Sequence, residues 1–242
     1  MLQVDLHSHT NRSQDGVTTP EELVERARAV GLDRIAVTDH GTIDGALRAR
    51  ETGGRLVIVG EEIRCRCRTE LIGLFLTERI PMNLPMEAVI ERIADQGGVI
   101  YAPHPFAYAT RPCRRARLAL SVADAVEVLN ARAFLPWWNR AAARAAAEIG
   151  LPALAGSDAH FPFEIGRAFV RMPAFDDAAQ FRRALPEAHP FLRDLSSPLL
   201  HVASMGVKCA RVVQATLASR DRPNTTSLRP ATAGPGRRAP SG

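Results

Sequence analysis

Much is missing from this chain that a membrane or secreted protein would carry. Its 242 residues contain no run of eighteen uninterrupted apolar residues, so no membrane-spanning helix is expected. It opens on a strand-like segment, not on a charged region followed by a long apolar run, so a signal peptide is not expected either. Cysteine is sparse: Cys65, Cys67, Cys113 and Cys209 are spaced for neither a disulfide framework nor a four-thiolate zinc site. A reduced, cytoplasmic protein is the plain expectation. A long basic stripe is absent as well. The net charge is +5, but Arg229, Arg237 and Arg238 sit in the last twenty residues with no acid, leaving about +2 for the rest. That balance does not announce a binder of long nucleic acid. Residues 223–242, rich in Pro, Gly, Ser and Thr, read as a disordered tail behind one domain at 1–222.

What is present is a core and an alternation. Hydrophobic residues make up 46% of the chain, enough for one large α/β domain. Strand-like runs recur as LQVDL, RIAVTD, RLVIVG, GVIYAP, DAVEVLN, LPALAG and RAFVRM. Helices lie between several of them. Thr19-Pro20-Glu21-Glu22 is a capping box with proline in the first turn, and its helix ends near Gly31. Pro85-Met86-Glu87 opens a second helix closed by Gly97-Gly98, and Asn139–Ile149 forms an alanine-rich third that stops at Gly150. RCRCRTELIGLFL is a candidate hairpin, and the stretch after Leu195 reads as a C-terminal helix. No internal repeat occurs. Strand alternating with helix implies parallel pairing and a layered or barrel α/β fold of about seven strands. Such folds place active sites at the carboxyl ends of their strands.

Those ends carry the polar chemistry. The first strand leads into His7 and His9, with Asp15 in the loop behind. The second ends in Thr38-Asp39-His40, the third in Gly60-Glu61-Glu62, and the fourth runs into Pro103-His104-Pro105. Glu127 and Asn130 close the fifth, and Ser157-Asp158-Ala159-His160 the sixth. Five of the seven histidines fall here; His189 and His201 do not. Each piece alone has an ordinary explanation: a turn, a solvated acidic pair, a loop brace. Six such explanations would have to hold independently at one face. Imidazole with carboxylate and no thiolate suits zinc, manganese or iron. The donors are too many for one four-coordinate ion, so two or three divalent ions sharing a carboxylate are expected.

DLHSHT, Asp15-Gly16, TDH, GEEI, PHP at 103–105 and GSDAH, in this order, resemble the PHP family, named for polymerase and histidinol phosphatase. The resemblance spans roughly residues 2–172. It implies a distorted seven-stranded (β/α) barrel, TIM-barrel-like, with a multi-ion site and phosphoester hydrolysis by a metal-bound hydroxide. It is nearest to the small metal-dependent phosphoesterases of that family. Carried over motif by motif, His7, His9 and Asp158 would hold one ion and Asp15, His40 and His160 another. Glu62 would bridge, leaving Glu61 at the surface, and His104 would hold a third ion with Glu62. Some members add a histidine or cysteine near the end of strand five. Asn130 stands there in this chain, a weak ligand, so that third position is expected to be partly filled or empty. Asp39 would orient a histidine ring from behind the ligands.

Guanidinium forks match phosphate oxygens, which makes Arg64, Arg111 and Arg132 candidate substrate contacts. Asp158 and His160 would also handle a proton, and Arg132 the developing charge. Trp137 and Trp138 fit a base-stacking platform, but at least one is read as an anchor for the helix that follows. Four functions are compatible with these residues to different degrees. The leading one is a phosphatase or phosphodiesterase acting on a small phosphorylated metabolite or nucleotide, with no membrane and no protein partner evident. A nuclease trimming short RNA or DNA oligonucleotides from one end is the alternative. A non-catalytic metal-binding module would be expected to have lost ligands. Amidohydrolase-like C–N cleavage typically recruits a mid-barrel lysine, and the only lysine here is Lys208, in the C-terminal helix.

Overall fold

A computed structural model describes residues 1–107 and 114–220. Arg111 and the tail from 223, expected to be disordered, lie outside the described residues. The order of elements is β1 (Leu2–Asp5), α1 (Pro20–Ala29), β2 (Arg34–Val37), α2 (Asp44–Gly53), β3 (Val57–Arg64), β4 (Glu70–Leu74), α3 (Met86–Asp95) and β5 (Val99–Ala102). There follow α4 (Arg114–Leu120), β6 (Ala125–Asn130), α5 (Pro136–Ile149), β7 (Ala153–Gly156), β8 (Ala168–Met172), α6 (Ala178–Ala184), β9 (His189–Leu192) and α7 (Pro198–Arg220). The Thr19–Glu22 box caps α1 as expected, each side chain bonding the other's backbone N–H. Helix α5 begins three residues earlier than expected, with proline in its first turn, and ends on Gly150 at φ +69°.

One sheet runs β7-β6-β5-β4-β3-β2-β1-β8-β9. All seven expected strands are present, and the RCRCR segment forms the expected hairpin, β3 with β4. Pairing is more mixed than the alternation implied. β1–β2, β2–β3, β5–β6 and β6–β7 are parallel, whereas β4 runs antiparallel to both neighbours and β8 antiparallel to β1. Strand β9 was not legible. It is short, begins His189-Pro190 and sits at the sheet edge against β8, where proline costs no ladder bond.

Alternation along the strands sorts two cores. Ile35, Val37, Val57, Val59 and Val126 meet α1, α2, α3 and α5 on one side. Val4, Leu6, Ala36, Ile58, Ile72, Tyr101 and Leu154 face the other way, packed with Phe175 and Phe181. Each buried Val, Leu, Ile or Phe among them contributes about 1.5–3 kcal/mol. The sheet curls into a nearly closed barrel, with its seam drawn together at the C-terminal ends of β1 and β7. There His9 N donates to Ala159 O at 2.8 Å and Asp158 N to His7 O at 2.7 Å. That seam joins the His7–His9 segment to the Asp158–His160 segment.

Candidate metal centre

His7 and His9, one residue apart on an extended chain, present both rings to one side. Their Nε2 atoms are 3.1 Å apart. Each ring is held from behind: His7 Nδ1 lies 3.1 Å from Glu127 Oε1, and His9 Nδ1 3.2 Å from Ser13 Oγ. Burial would push the His7 ring down, yet Asp158 and Glu127 drive it well above its ordinary pKa; with Nδ1 donating to Glu127, a cation would take the place of the second proton at Nε2. Glu62 Oε2 stands 3.4 and 3.5 Å from the two Nε2 atoms, and Asp158 Oδ1 3.6 and 3.3 Å. A second group adjoins the first. Asp15 Oδ2 is 3.6 Å from His40 Nε2, and its Oδ1 is 3.5 Å from His160 Nε2. His160 Nδ1 is pinned on the Asp158 carbonyl at 2.8 Å. In a third group His104 Nε2 is 3.4 Å from Glu62 Oε1, and Glu70 offers an oxygen within 4.8 Å of both. Glu62 touches all three groups, reaching His40 Nδ1 at 3.1 Å.

The residues fit divalent cations. Asp15 Oδ1 and Glu62 Oε1 are buried without a hydrogen-bond donor, a costly state unless a cation satisfies them. Protons do a cation's work when nothing else does. Burial would push His104 down, yet Glu62 drives it up to about 10. Burial, with the neighbouring His160 and His40, holds His9 down at about 3, so its ring is neutral. Burial opposes ionisation of Asp15, Glu62 and Asp158 too, but the surrounding histidines keep all three carboxyls below the usual range. Asp158 sits at φ +52° and His104 at φ +22°. Such backbone is sparsely populated by non-glycine residues and gathers at functional sites.

Other expectations need adjusting. Glu61 is not at the surface: it is fully buried on the face of β3 opposite Glu62, and accepts a bond from Ile80 N at 2.7 Å. Asp39 does not orient a ring; it takes bonds of 2.6 Å from Thr10 N and Thr10 Oγ1, bracing the loop after His9. Asn130 is occupied as a donor to Glu127 Oε2 and Asp158 Oδ2, and its own oxygen accepts from Arg132 N. Arg132 reaches the cavity wall, but its fork is spent on Glu164 at 2.8 and 3.1 Å and on Ser204 Oγ at 2.8 Å. Arg64 is exposed and is not brought to the cavity. Trp138 is buried in the core while Trp137 is half exposed.

Three contributors were missed. Glu127 orients His7 and accepts His104 N at 2.7 Å; its place at a strand end was visible, its use was not. Glu70 read as part of a hairpin. The third is α7, whose Ser204, His201, Met205 and Lys208 wall a cavity of about 530 Å³ above the histidine cluster. Ala107, Phe134 and Trp138 form its apolar side.

Fold and side chains together define a barrel protein with a cluster of imidazoles and carboxylates, suited to divalent metal, at the strand mouth. A PHP domain model matches residues 5–103 and a PHP-associated model residues 136–189. An uncharacterized protein of Methanocaldococcus jannaschii is 36% identical over 143 residues, 54% of this chain and 82% of the relative. The 5'-3' exoribonuclease of Haemophilus influenzae is 48% identical over 63 residues, 24% of this chain and 22% of that one. A solved two-domain protein of Bacteroides vulgatus, described as containing a predicted PHP-like metal-dependent phosphoesterase, superposes with a TM-score of 0.64 at 20% identity. That match covers 79% of this chain, which spans 64% of the solved one, just under two thirds. The chain belongs to the PHP family.

Proposed function

We propose that this protein hydrolyses phosphoesters of a small phosphorylated metabolite or nucleotide, using two or three divalent ions. The observation that carries the reading is Glu62, a buried carboxylate bordering three ligand groups at the floor of an open cavity. His7, His9 and Asp158 would hold one ion, and Asp15, His40 and His160 a second. Glu62 would bridge, and with His104 would hold a third, where Glu70 takes the place that Asn130 cannot fill. Bound there, zinc, manganese or iron would activate water and neutralise charge on a phosphoryl group. Glu127 would fix the His7 ring. Asp158 and His160 face the cavity beside their ligand role, where a leaving oxygen would need its proton. Arg132 would position α7 and not the substrate.

Substrate size follows from the walls. A cavity of about 530 Å³ is typical for a small ligand, and α7 bounds one side of it. The similarity to an exoribonuclease over 63 residues favours a second reading, removal of single nucleotides from the end of a short oligonucleotide.

The test is a metal-resolved hydrolysis screen. Bound metals are measured by mass spectrometry, then phosphomonoesters, nucleoside bisphosphates and short labelled oligonucleotides are assayed with and without chelator. Chelator-sensitive phosphate release from small esters supports the first reading, and mononucleotide release from one oligomer end the second. His40→Ala and Asp158→Ala should each lower turnover at least about 100-fold with unchanged far-UV circular dichroism, because barrel-mouth residues carry function more than stability. Metal binding without turnover on any substrate class, or full activity in His40→Ala, would overturn the proposal.

A further inference from the structure

A phosphoryl group brings two negative charges into a cavity already crowded with carboxylates. Among the described residues, two permanent cations line that cavity, Arg132 and Lys208. Arg132 is neutralised by Glu164 and held by Ser204. Lys208 is not absorbed in this way. Its side chain is 42% exposed, and its Nζ lies 3.6 Å from Asp15 Oδ2, at the edge of the Asp15–His40–His160 group.

The lysine is placed, not merely nearby. His201, Ser204, Lys208 and Arg211 recur at three- and four-residue spacing, so they share one face of α7. The residues around Lys208 on that face are docked on the barrel. His201 Nε2 donates to Arg132 O at 2.7 Å, Ser204 Oγ accepts from Arg132, and the Arg211 guanidinium donates to the carbonyls of Asn11 and Ser13. Anchors on both sides hold the Lys208 backbone over Asp15, while the four-carbon stem leaves its ammonium free to swing. A divalent ion on Asp15 would take over the neutralisation of that carboxylate. The ammonium would then face whatever anion the ion holds. Helix α7 lies beyond both stretches matched by the family models, so this cation is supplied by a part of the chain they do not describe.

We infer that Lys208 is the anion anchor of the cavity, its ammonium binding a non-bridging phosphoryl oxygen on the Asp15–His40–His160 side. This deepens the phosphoesterase reading and rests on it for the identity of the anion.

The test separates binding from turnover. The manganese-loaded 242-residue chain is titrated with inorganic phosphate by calorimetry, and phosphomonoester KM and kcat are measured in parallel. Lys208→Gln should weaken phosphate binding and raise KM about 10- to 100-fold, the size of one charge-assisted hydrogen bond. Its kcat should stay within about threefold and its metal content, by mass spectrometry, should not change. Lys208→Arg should recover most of the affinity. Unaltered phosphate affinity in Lys208→Gln would overturn the inference. So would the loss of a metal equivalent, which would make the lysine a support for Asp15. Should Lys208→Gln fold poorly by circular dichroism, Lys208→Met serves as the second variant under the same criteria. Phosphate binding that depends on Lys208 in a protein that hydrolyses nothing would overturn the phosphoesterase reading and leave the anchor standing.

Discussion

Glu61 and Glu62 are neighbours in sequence and opposites in chemistry. Strand alternation sends Glu62 into the histidine cluster and Glu61 into the far side of β3, under the segment carrying Ile80. The histidines pull Glu62 below the usual carboxylate range. Burial pushes Glu61 up to about 7, against an ordinary 4.5. The sign follows from linkage. A carboxyl whose folded pKa is raised stabilises the fold fully below the unfolded pKa, and that contribution is lost as pH rises through the folded value. Between pH 4.5 and 7 this residue should therefore remove roughly 3 kcal/mol of stability. Glu61→Gln should flatten that part of the profile. Urea unfolding of both proteins at pH 5 and pH 8 measures it, and identical pH slopes would refute the assignment.

At the scale of elements, β7 packs tightly against the segment that follows β1. A Cβ at Gly156 would fall 2.4 Å from His7 Cβ and 2.7 Å from Glu127 Oε1. Glycine at this position lets the seam close and keeps His7 aligned with the carboxylate behind it. Gly156→Ala should displace both, destabilise by about 1–3 kcal/mol, and lose most of the metal held at His7 and His9. Gly150→Ala, at the left-handed end of α5, is the control: nothing lies within 4 Å of its Cβ, so it should cost about 1–2 kcal/mol in backbone strain with metal content unchanged. Metal per chain by mass spectrometry and thermal unfolding separate the two effects. Equal metal content in both variants would count against this account of the seam.

For the whole molecule, the buried acids of the mouth tie stability to cations. A ligand bound by the folded state alone stabilises by about 2.7–4.1 kcal/mol at 100–1,000 times its Kd. For a chain of this size each kcal/mol moves Tm by about 2–4 °C. Chelation should thus lower Tm by about 5–15 °C, and added manganese should restore it, as read by circular dichroism melts. A Tm indifferent to chelator would mean that the cluster does not hold ions in solution. None of the described helices is long and apolar enough to cross a membrane.

The histidine–carboxylate cluster was legible because strand and loop positions are local. Two-residue spacing puts His7 and His9 on one side, a parallel α/β alternation turns strand ends toward one mouth, and Thr19–Glu22 marks where α1 starts. These rules act over a few residues, so the sequence by itself determined the barrel class, the family, and the motifs whose side chains meet. It did not determine who faces whom across the chain. That Glu61 is buried, that Asn130 is spent on Glu127 and Asp158, and that Glu70 joins His104 depend on strands paired antiparallel at β4 and on a loop folded over β3. The bond between Arg132 and Ser204 spans 72 positions, and the one between Arg211 and Asn11 spans 200. No periodicity encodes such pairings. They arise because burying an arginine requires a carboxylate and a hydroxyl that only the packed helix supplies. By the same packing α7 sets Lys208 over Asp15, and the tertiary structure alone decided that the wall of the cavity would carry a cation.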